Sequence, residues 1–349
     1  MKIRMSLPIT VGNMEVLILI SLFFRILQAT DPRLETYNVD ANAISVSGIS
    51  SGAAMATQMH VINSERIMGA GIIAGVPFAC SGGSIAGAST CMLTPSLTSV
   101  SSLELLVTSG SFLGNVDTTS NLRDDKVYIF SGTSDSVVKP GNGQNIERFY
   151  RHYISNRSNI KTVFNMAAEH CMPTENYGGQ CGTLSSSTGY LNNCNYNAAY
   201  DLLNHIYGGH LKKPMNASAI EGNLRKFDQK EFFHLAPPST YSMDVTGYVY
   251  VPEVCSQRHQ HYTECKFHIA LHGCGMGRET IGEVYVRHGG YNDVAELNNI
   301  IILYPQVIPT ITNPKGCWDW WGYTGAYFAT KHGFQITALR RMLERASHY

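Results

Sequence analysis

Residues 44–56 read ISVSGISSGAAMA. Ile44 and Val46 alternate with serines as on a strand; Gly48-Ile49-Ser50-Ser51-Gly52 breaks that pattern, and Ala, Met, Gln and His follow at helical spacing to Ser64. The run predicts a strand, a sharp turn with Ser50 at its apex, and a helix. This is the G-x-S-x-G pattern, in which a serine on a strained strand-to-helix turn is presented as a nucleophile. In a chain with 32 glycines the pattern alone carries little weight, and its strand and helix context supplies the rest. Several strands and a loop giving half of an oxyanion hole ordinarily precede such a turn. Here only a few dozen residues do.

Downstream, MGAGIIAGVPF (68–78) reads as a buried strand, and the Ser-, Gly- and Thr-rich stretch 81–102 as a surface excursion. KVYIFSGTSDSVV (126–138) is a strand ending in a polar turn with Asp135, and GNGQNIERFYRHYI beyond it is a helix. KTVFNMAAEHCMPT (161–174) repeats the design, a strand and then a loop bearing His170. Alternating strands and helices predict a parallel α/β sheet, whose ligand chemistry gathers at the carboxyl ends of strands. Ser50, Asp135 and His170 therefore fall in the order nucleophile, acid, base, each after a strand. Asp117, Asp124 and Asp125 compete for the acid role but precede their strand, which is the wrong end.

A polar stretch at 209–230 is the best candidate linker, dividing an N-terminal part to about residue 208 from a C-terminal part from about 231. In the latter, GYVYVPEVC, FHIALHGC and IIILYPQ read as strands, YNDVAELNN as a helix and residues 330–346 as an amphipathic terminal helix. The 26 Lys+Arg residues balance 26 Asp+Glu, and charged residues make up 15%, against about 25% in an ordinary soluble domain. A neutral, charge-poor chain lacks the basic face that nucleic acid or an anionic membrane would need. A neutral substrate fits better.

Lys2 and Arg4, an apolar run over 16–24 and a small residue at Ala29 predict a secretory signal peptide over 1–29, leaving 30–349 as one catalytic domain; an uncleaved anchor is the alternative. Nine cysteines in a secreted chain favour disulfides over metal ligation. Spacing suggests Cys80 with Cys91, Cys181 with Cys194 and Cys255 with Cys265, each closing a loop worth about 3 kcal/mol, with Cys274 and Cys317 as a long-range pair and Cys171 left over. Asn156 and Asn216 begin glycosylation sequons. The histidines of RHQHYTEC are expected to be loop residues, and no metal or cofactor is expected.

FHIALHGCGMG (267–277) has the form of the missing oxyanion loop, a strand ending in His-Gly, but lies about 220 residues after Ser50. A helix and IIILYPQ follow it, the order in which strands normally lead up to an elbow. The simplest explanation is a circular permutation of an α/β-hydrolase fold, which costs little where termini lie close together at the surface.

With these motifs the chain resembles the circularly permuted poly(3-hydroxybutyrate) depolymerases, single-domain secreted esterases. The matching stretches are SGISSGAAMA, FSGTSDSVVKPGN, AAEHCMPT, FDQKEF, GYVYVPEVC, HIALHGCGMG, IIILYPQ and NPKGCWDWWGY, which cover nearly all of the mature sequence. The resemblance implies Ser50 as nucleophile, His170 as general base, Asp135 as its orienting acid, and the backbone N–H groups of Ser51 and Cys274 as oxyanion donors. It implies a monomeric serine esterase acting on polyester or oligoester without a cofactor. Trp318, Trp320 and Trp321 crowd one short segment, so at least one is expected to line the substrate cleft, with Tyr323 and Tyr327 extending the surface. Two alternatives remain: a feruloyl- or acetyl-type carbohydrate or lipid esterase, and a catalytically silent binding protein of the same fold.

Overall fold

A computed structural model describes residues 31–215, 217–256 and 263–347. The expected signal peptide, the sequon at Asn216 and the histidines of residues 257–262 lie outside the described residues. The elbow strand β1 (Val39–Ile49) runs into helix α1 (Ser51–Ile62), every residue of which is buried. Strands β2 (Gly69–Ile73), β3 (Lys126–Phe130) and β4 (Ile160–Val163) follow, then β8 (Leu224–Asp228), β9 (Thr246–Tyr250), β10 (Cys265–Leu271) and β11 (Ile300–Tyr304). These eight form one sheet in the order β4-β3-β2-β1-β10-β11-β9-β8. Pairing is parallel from β4 to β11, while β9 and β8 pair antiparallel at one edge. The central strands are buried on both faces, as their apolar runs require.

Helices cover both faces. Side chains of α1, α4 (Gly141–Tyr153) and α9 (Phe334–Ser347) share one core cluster, and those of α5 (Ala198–Ile206), α7 (Val284–His288) and α8 (Tyr291–Asn298) share the other. A small parallel sheet, β5 (Met172–Thr174), β7 (Leu191–Asn193) and β6 (Gly179–Gln180), closes the region after His170.

Two sequence expectations change. The stretch 81–102 is not irregular: it holds α2 (Ile85–Leu93) and the start of α3 (Val100–Phe112). Ser84 caps α2 by accepting from the Gly87 N–H, and the Cys80–Cys91 disulfide ties the helix down, which offsets the poor helix propensity of Gly87, Ser89 and Thr90. Nor is 209–230 a linker between domains, because β8 lies inside it and pairs over its whole length with β9.

Candidate active site

The glycines of the elbow are fixed by contact. A Cβ on Gly48 would sit 2.3 Å from the backbone of Gly52, and one on Gly52 would sit 2.3 Å from the Leu271 carbonyl oxygen and 2.4 Å from that of His272. Only with glycine at both places can β1, α1 and the end of β10 approach this closely. Between them Ser50 sits at φ 57°, ψ −121°, a conformation a non-glycine residue holds only where its surroundings over-determine it. Its N–H is anchored on the Ile73 carbonyl (2.9 Å), and its hydroxyl makes no hydrogen bond among the described residues.

The structure brings Asp135 and His170 together. The Asp135 carboxylate accepts from the Val137 and Val138 N–H groups through Oδ1 (2.9 and 2.8 Å) and from His170 Nδ1 through Oδ2 (2.9 Å). Asp135 is 3% exposed and His170 5%. With Nδ1 committed to the carboxylate, the imidazole is held in the tautomer whose Nε2 can accept a proton. Two of the competing aspartates are engaged elsewhere. Asp125 pairs with His60 at the far end of α1 (3.0 Å), and Asp117 pairs with Lys331 (2.6 Å).

Ser50, Ser51 and Cys274 line one cavity of about 160 Å³ whose other walls include Ile85, Met92, Val138, Trp320 and Trp321. Neither the Ser51 N–H nor the Cys274 N–H donates a hydrogen bond among the described residues. Two idle amides thus belong to residues that line the same apolar cavity as Ser50. The loop carrying Cys274 is pinned from several sides. His272 Nδ1 donates to the Gly273 carbonyl (2.8 Å) while its Nε2 accepts from the Val307 N–H (3.2 Å). Burial lowers the His272 pKa to about 4, which keeps both bonds in place at neutral pH. The Gly275 N–H donates to the Lys315 carbonyl (2.6 Å), and a Cys274–Cys317 disulfide joins the loop to the tryptophan segment. The other disulfides are Cys80–Cys91, Cys181–Cys194 and Cys255–Cys265, and Cys171 is free and buried, its thiol pushed up to about 12 by burial and by the Asp135 and Glu169 charges.

The tryptophans divide. Trp320 and Trp321 face the cavity, but Trp318, the third candidate for the cleft, is fully buried and packs against His272 (centroids 5.7 Å apart). Its main-chain N–H donates to Ser51 Oγ (3.3 Å), so the residue supports the elbow from behind and does not face the cavity. Tyr323 is likewise an internal brace, its hydroxyl donating to the Cys317 carbonyl (2.7 Å), whereas Tyr327 is exposed. Asp319, hidden between the tryptophans in sequence, organises this segment: its carboxylate accepts from the N–H groups of Gly322, Tyr323 and Thr324.

A serine at a strained elbow, a carboxylate-bound imidazole and two unoccupied amides make up the parts of a serine acyl-transfer site. No family model matches the chain. It is 39% identical over 316 residues to a poly(3-hydroxybutyrate) depolymerase of Delftia acidovorans, a match covering 90% of this chain and 61% of that protein, less than two thirds of its length. It is 35% identical over 327 residues to the polyhydroxybutyrate depolymerase of Talaromyces funiculosus, covering 89% of this chain and 91% of that one. Among solved structures, the PHB depolymerase from Penicillium funiculosum and a serine-to-alanine variant of a PHB depolymerase complexed with an R3HB trimer each superpose with TM-score 0.81 at 31% identity, covering 90% of this chain and 99% of theirs. The chain belongs to the polyhydroxybutyrate depolymerase family.

Proposed function

We propose that this protein is a secreted serine esterase that hydrolyses poly- or oligo-(3-hydroxybutyrate) and similar aliphatic esters. The observation that carries the reading is Ser50, strained at the elbow, opening with two idle amides onto an apolar cavity. His170 takes the proton of Ser50 as its Oγ attacks the ester carbonyl, and Asp135 holds the imidazole and stabilises the imidazolium. The Ser51 and Cys274 N–H groups receive the developing oxyanion, each worth about 3 kcal/mol. His170 then protonates the leaving hydroxyl, and water repeats the cycle on the acyl-enzyme.

The surface beside the cleft supports a polymeric substrate. Ile85, at the cavity rim, is 73% exposed, and Leu97, Leu105, Phe112 and Leu113 are 69%, 66%, 91% and 69% exposed along α2 and α3. Glu104 is the sole charged residue between Arg66 and Asp117. A second hollow of about 640 Å³ is walled in part by Gly83, Leu106, Leu113 and Gly322. So large an exposed apolar face suits adsorption to an uncharged, water-poor material.

The strand order supports a permuted α/β-hydrolase, since β10 and β11, the strands expected ahead of the elbow, lie directly beside β1 though they come last in sequence. Residues 30–349 then form one catalytic domain. Four disulfides fit secretion, no helix among the described residues is long and apolar enough to cross a membrane, and the exposed Asn156 is a site for glycosylation. The test is a product assay on 3-hydroxybutyrate oligomers, amorphous polymer and feruloyl esters side by side. Soluble 3-hydroxybutyrate from the first two alone supports the reading; ferulate release without it overturns the substrate class.

A further inference from the structure

Asp135 and His170 sit on different loops, and the bond between them accounts for only half of what joins the two. Glu169, 8% exposed, faces the opposite way. Both of its carboxylate oxygens accept from the Ser136 N–H, the residue after Asp135 (3.1 and 3.0 Å), and Oε2 also accepts from the N–H of His170. The acid loop thus grips the base through the Asp135 side chain, and the base loop grips the acid loop through the Glu169 side chain. The reciprocity is that of a capping box, where two side chains satisfy each other's backbone donors. Main-chain bonds continue the contact, from the Thr133 N–H to the Met166 carbonyl (2.8 Å) and from the Ser134 N–H to the Ala168 carbonyl (3.2 Å). Behind Glu169, its own N–H donates to the carbonyl of Cys181 (2.9 Å), which is held by the Cys181–Cys194 disulfide.

We propose that Glu169 is a positioning residue of the esterase reaction: it clamps the main chain at His170 and at Ser136, on either side of the Asp135–His170 bond, and so fixes where the imidazole Nε2 stands relative to Ser50. The inference rests on the reading of Ser50, His170 and Asp135 as the catalytic triad. A carboxylate suits this place better than an amide. Oε2 receives both N–H groups and Oε1 shares that of Ser136, so an amide could serve both donors only with its carbonyl oxygen at the Oε2 position, and its own NH₂ would then face the Ser136 N–H from the Oε1 position. Burial opposes ionisation of Glu169, but hydrogen bonds from Ser136 and His170 outweigh it and hold the pKa below the ordinary glutamate value, consistent with a carboxylate at neutral pH. Glu169, like Asp135 and His170, does not line the cavity.

The test is the steady-state hydrolysis of p-nitrophenyl butyrate by Glu169→Gln, with active sites counted by labelling to completion with a fluorophosphonate. Misplacement of a catalytic group by about 1 Å costs on the order of 100-fold. The expected result is a kcat per labelled site lowered by about 10- to 100-fold, KM within twofold of wild type, and a fluorophosphonate labelling rate lowered by the same factor as kcat. Glu169→Asp, which keeps the charge but shortens the reach, falls between. A Glu169→Gln enzyme with fewer labelled sites but wild-type kcat per site overturns the proposal in favour of a purely structural role. If the Gln variant gives no labelled sites, Glu169→Asp is judged by the same criterion, and failure of both to give labelled sites also overturns it. Ser50→Ala separates this outcome from failure of the triad itself: a Ser50→Ala protein that still turns over substrate removes the triad reading, whatever Glu169 does.

Discussion

The two walls of the cleft are built in opposite ways. One holds the proposed triad and is mounted on the sheet: Ser50, Asp135 and His170 follow β1, β3 and β4, with close glycine contacts at the elbow, buried Asp135 and Glu169 carboxylates between the two loops, and the Cys181–Cys194 disulfide behind Glu169. The other, α2 and α3, leaves its largest apolar side chains in water and carries almost no charge. The first wall can tolerate little displacement because the reaction depends on distances between particular atoms. The second has only to be apolar and broad, because adhesion to a surface sums over area and not over geometry. On the proposed function, reaction type is written in one wall and the physical state of the substrate in the other.

Substitutions should separate the two walls sharply. The largest effect falls on the first: Ser50→Ala lowers kcat on p-nitrophenyl butyrate by on the order of 10⁴-fold or more with an unchanged thermal midpoint, checked by steady-state kinetics beside calorimetry. Gly52→Ala comes next. Its Cβ would lie 2.3 Å from a backbone carbonyl that no rotamer can relieve, so a stability loss of about 3 kcal/mol or more accompanies lost activity in chemical denaturation. On the second wall, Phe112→Ser with Leu113→Ser removes two apolar side chains worth about 1.5–3 kcal/mol each when buried against a polymer. Binding to amorphous polymer in a depletion assay falls about tenfold or more, while kcat and KM for the soluble ester change less than twofold. Equal losses on both substrates would erase the distinction between the walls.

The smallest effect is a pH dependence. Because the folded-state pKa of Glu169 is depressed, its stabilising contribution is complete above the ordinary glutamate value of about 4.3 and is lost as pH falls through the folded value. The gap in thermal midpoint between wild type and Glu169→Gln is therefore widest near pH 7 and narrows as pH falls below the ordinary glutamate value. His272, kept neutral by burial down to about pH 4, adds a separate acid loss that begins near pH 6.5, where its unfolded counterpart takes up a proton. That loss is present in both proteins and cancels from the gap.

The same contrast explains what could be read from the sequence. The elbow, Asp135, His170 and the FHIALHGCGMG loop were legible because each is a local pattern at a strand end, and their order restricts the roles they can take. Glu169 stood next to His170 in plain view, but its function lies in a contact with Ser136, which no local pattern shows. Trp318 and Trp320 are two residues apart, and only their burial against different neighbours makes one a prop for the elbow and the other a wall of the cleft. α2 and the start of α3 were missed because serine, threonine and glycine dominate the stretch 81–102 around them and mask the helical pattern. The stretch 209–230 looked like a linker because it is polar, yet β8 is an edge strand, where polar side chains are at home.

The central claim is that one serine, Ser50, drives hydrolysis of a 3-hydroxybutyrate polyester. Its most direct test is soluble 3-hydroxybutyrate released from amorphous polymer by the full-length wild-type protein and by Ser50→Ala at equal concentration. The account predicts steady release by the wild type and none above background by the variant. Equal release by both, or none by a wild-type enzyme that still cleaves p-nitrophenyl butyrate, would contradict it.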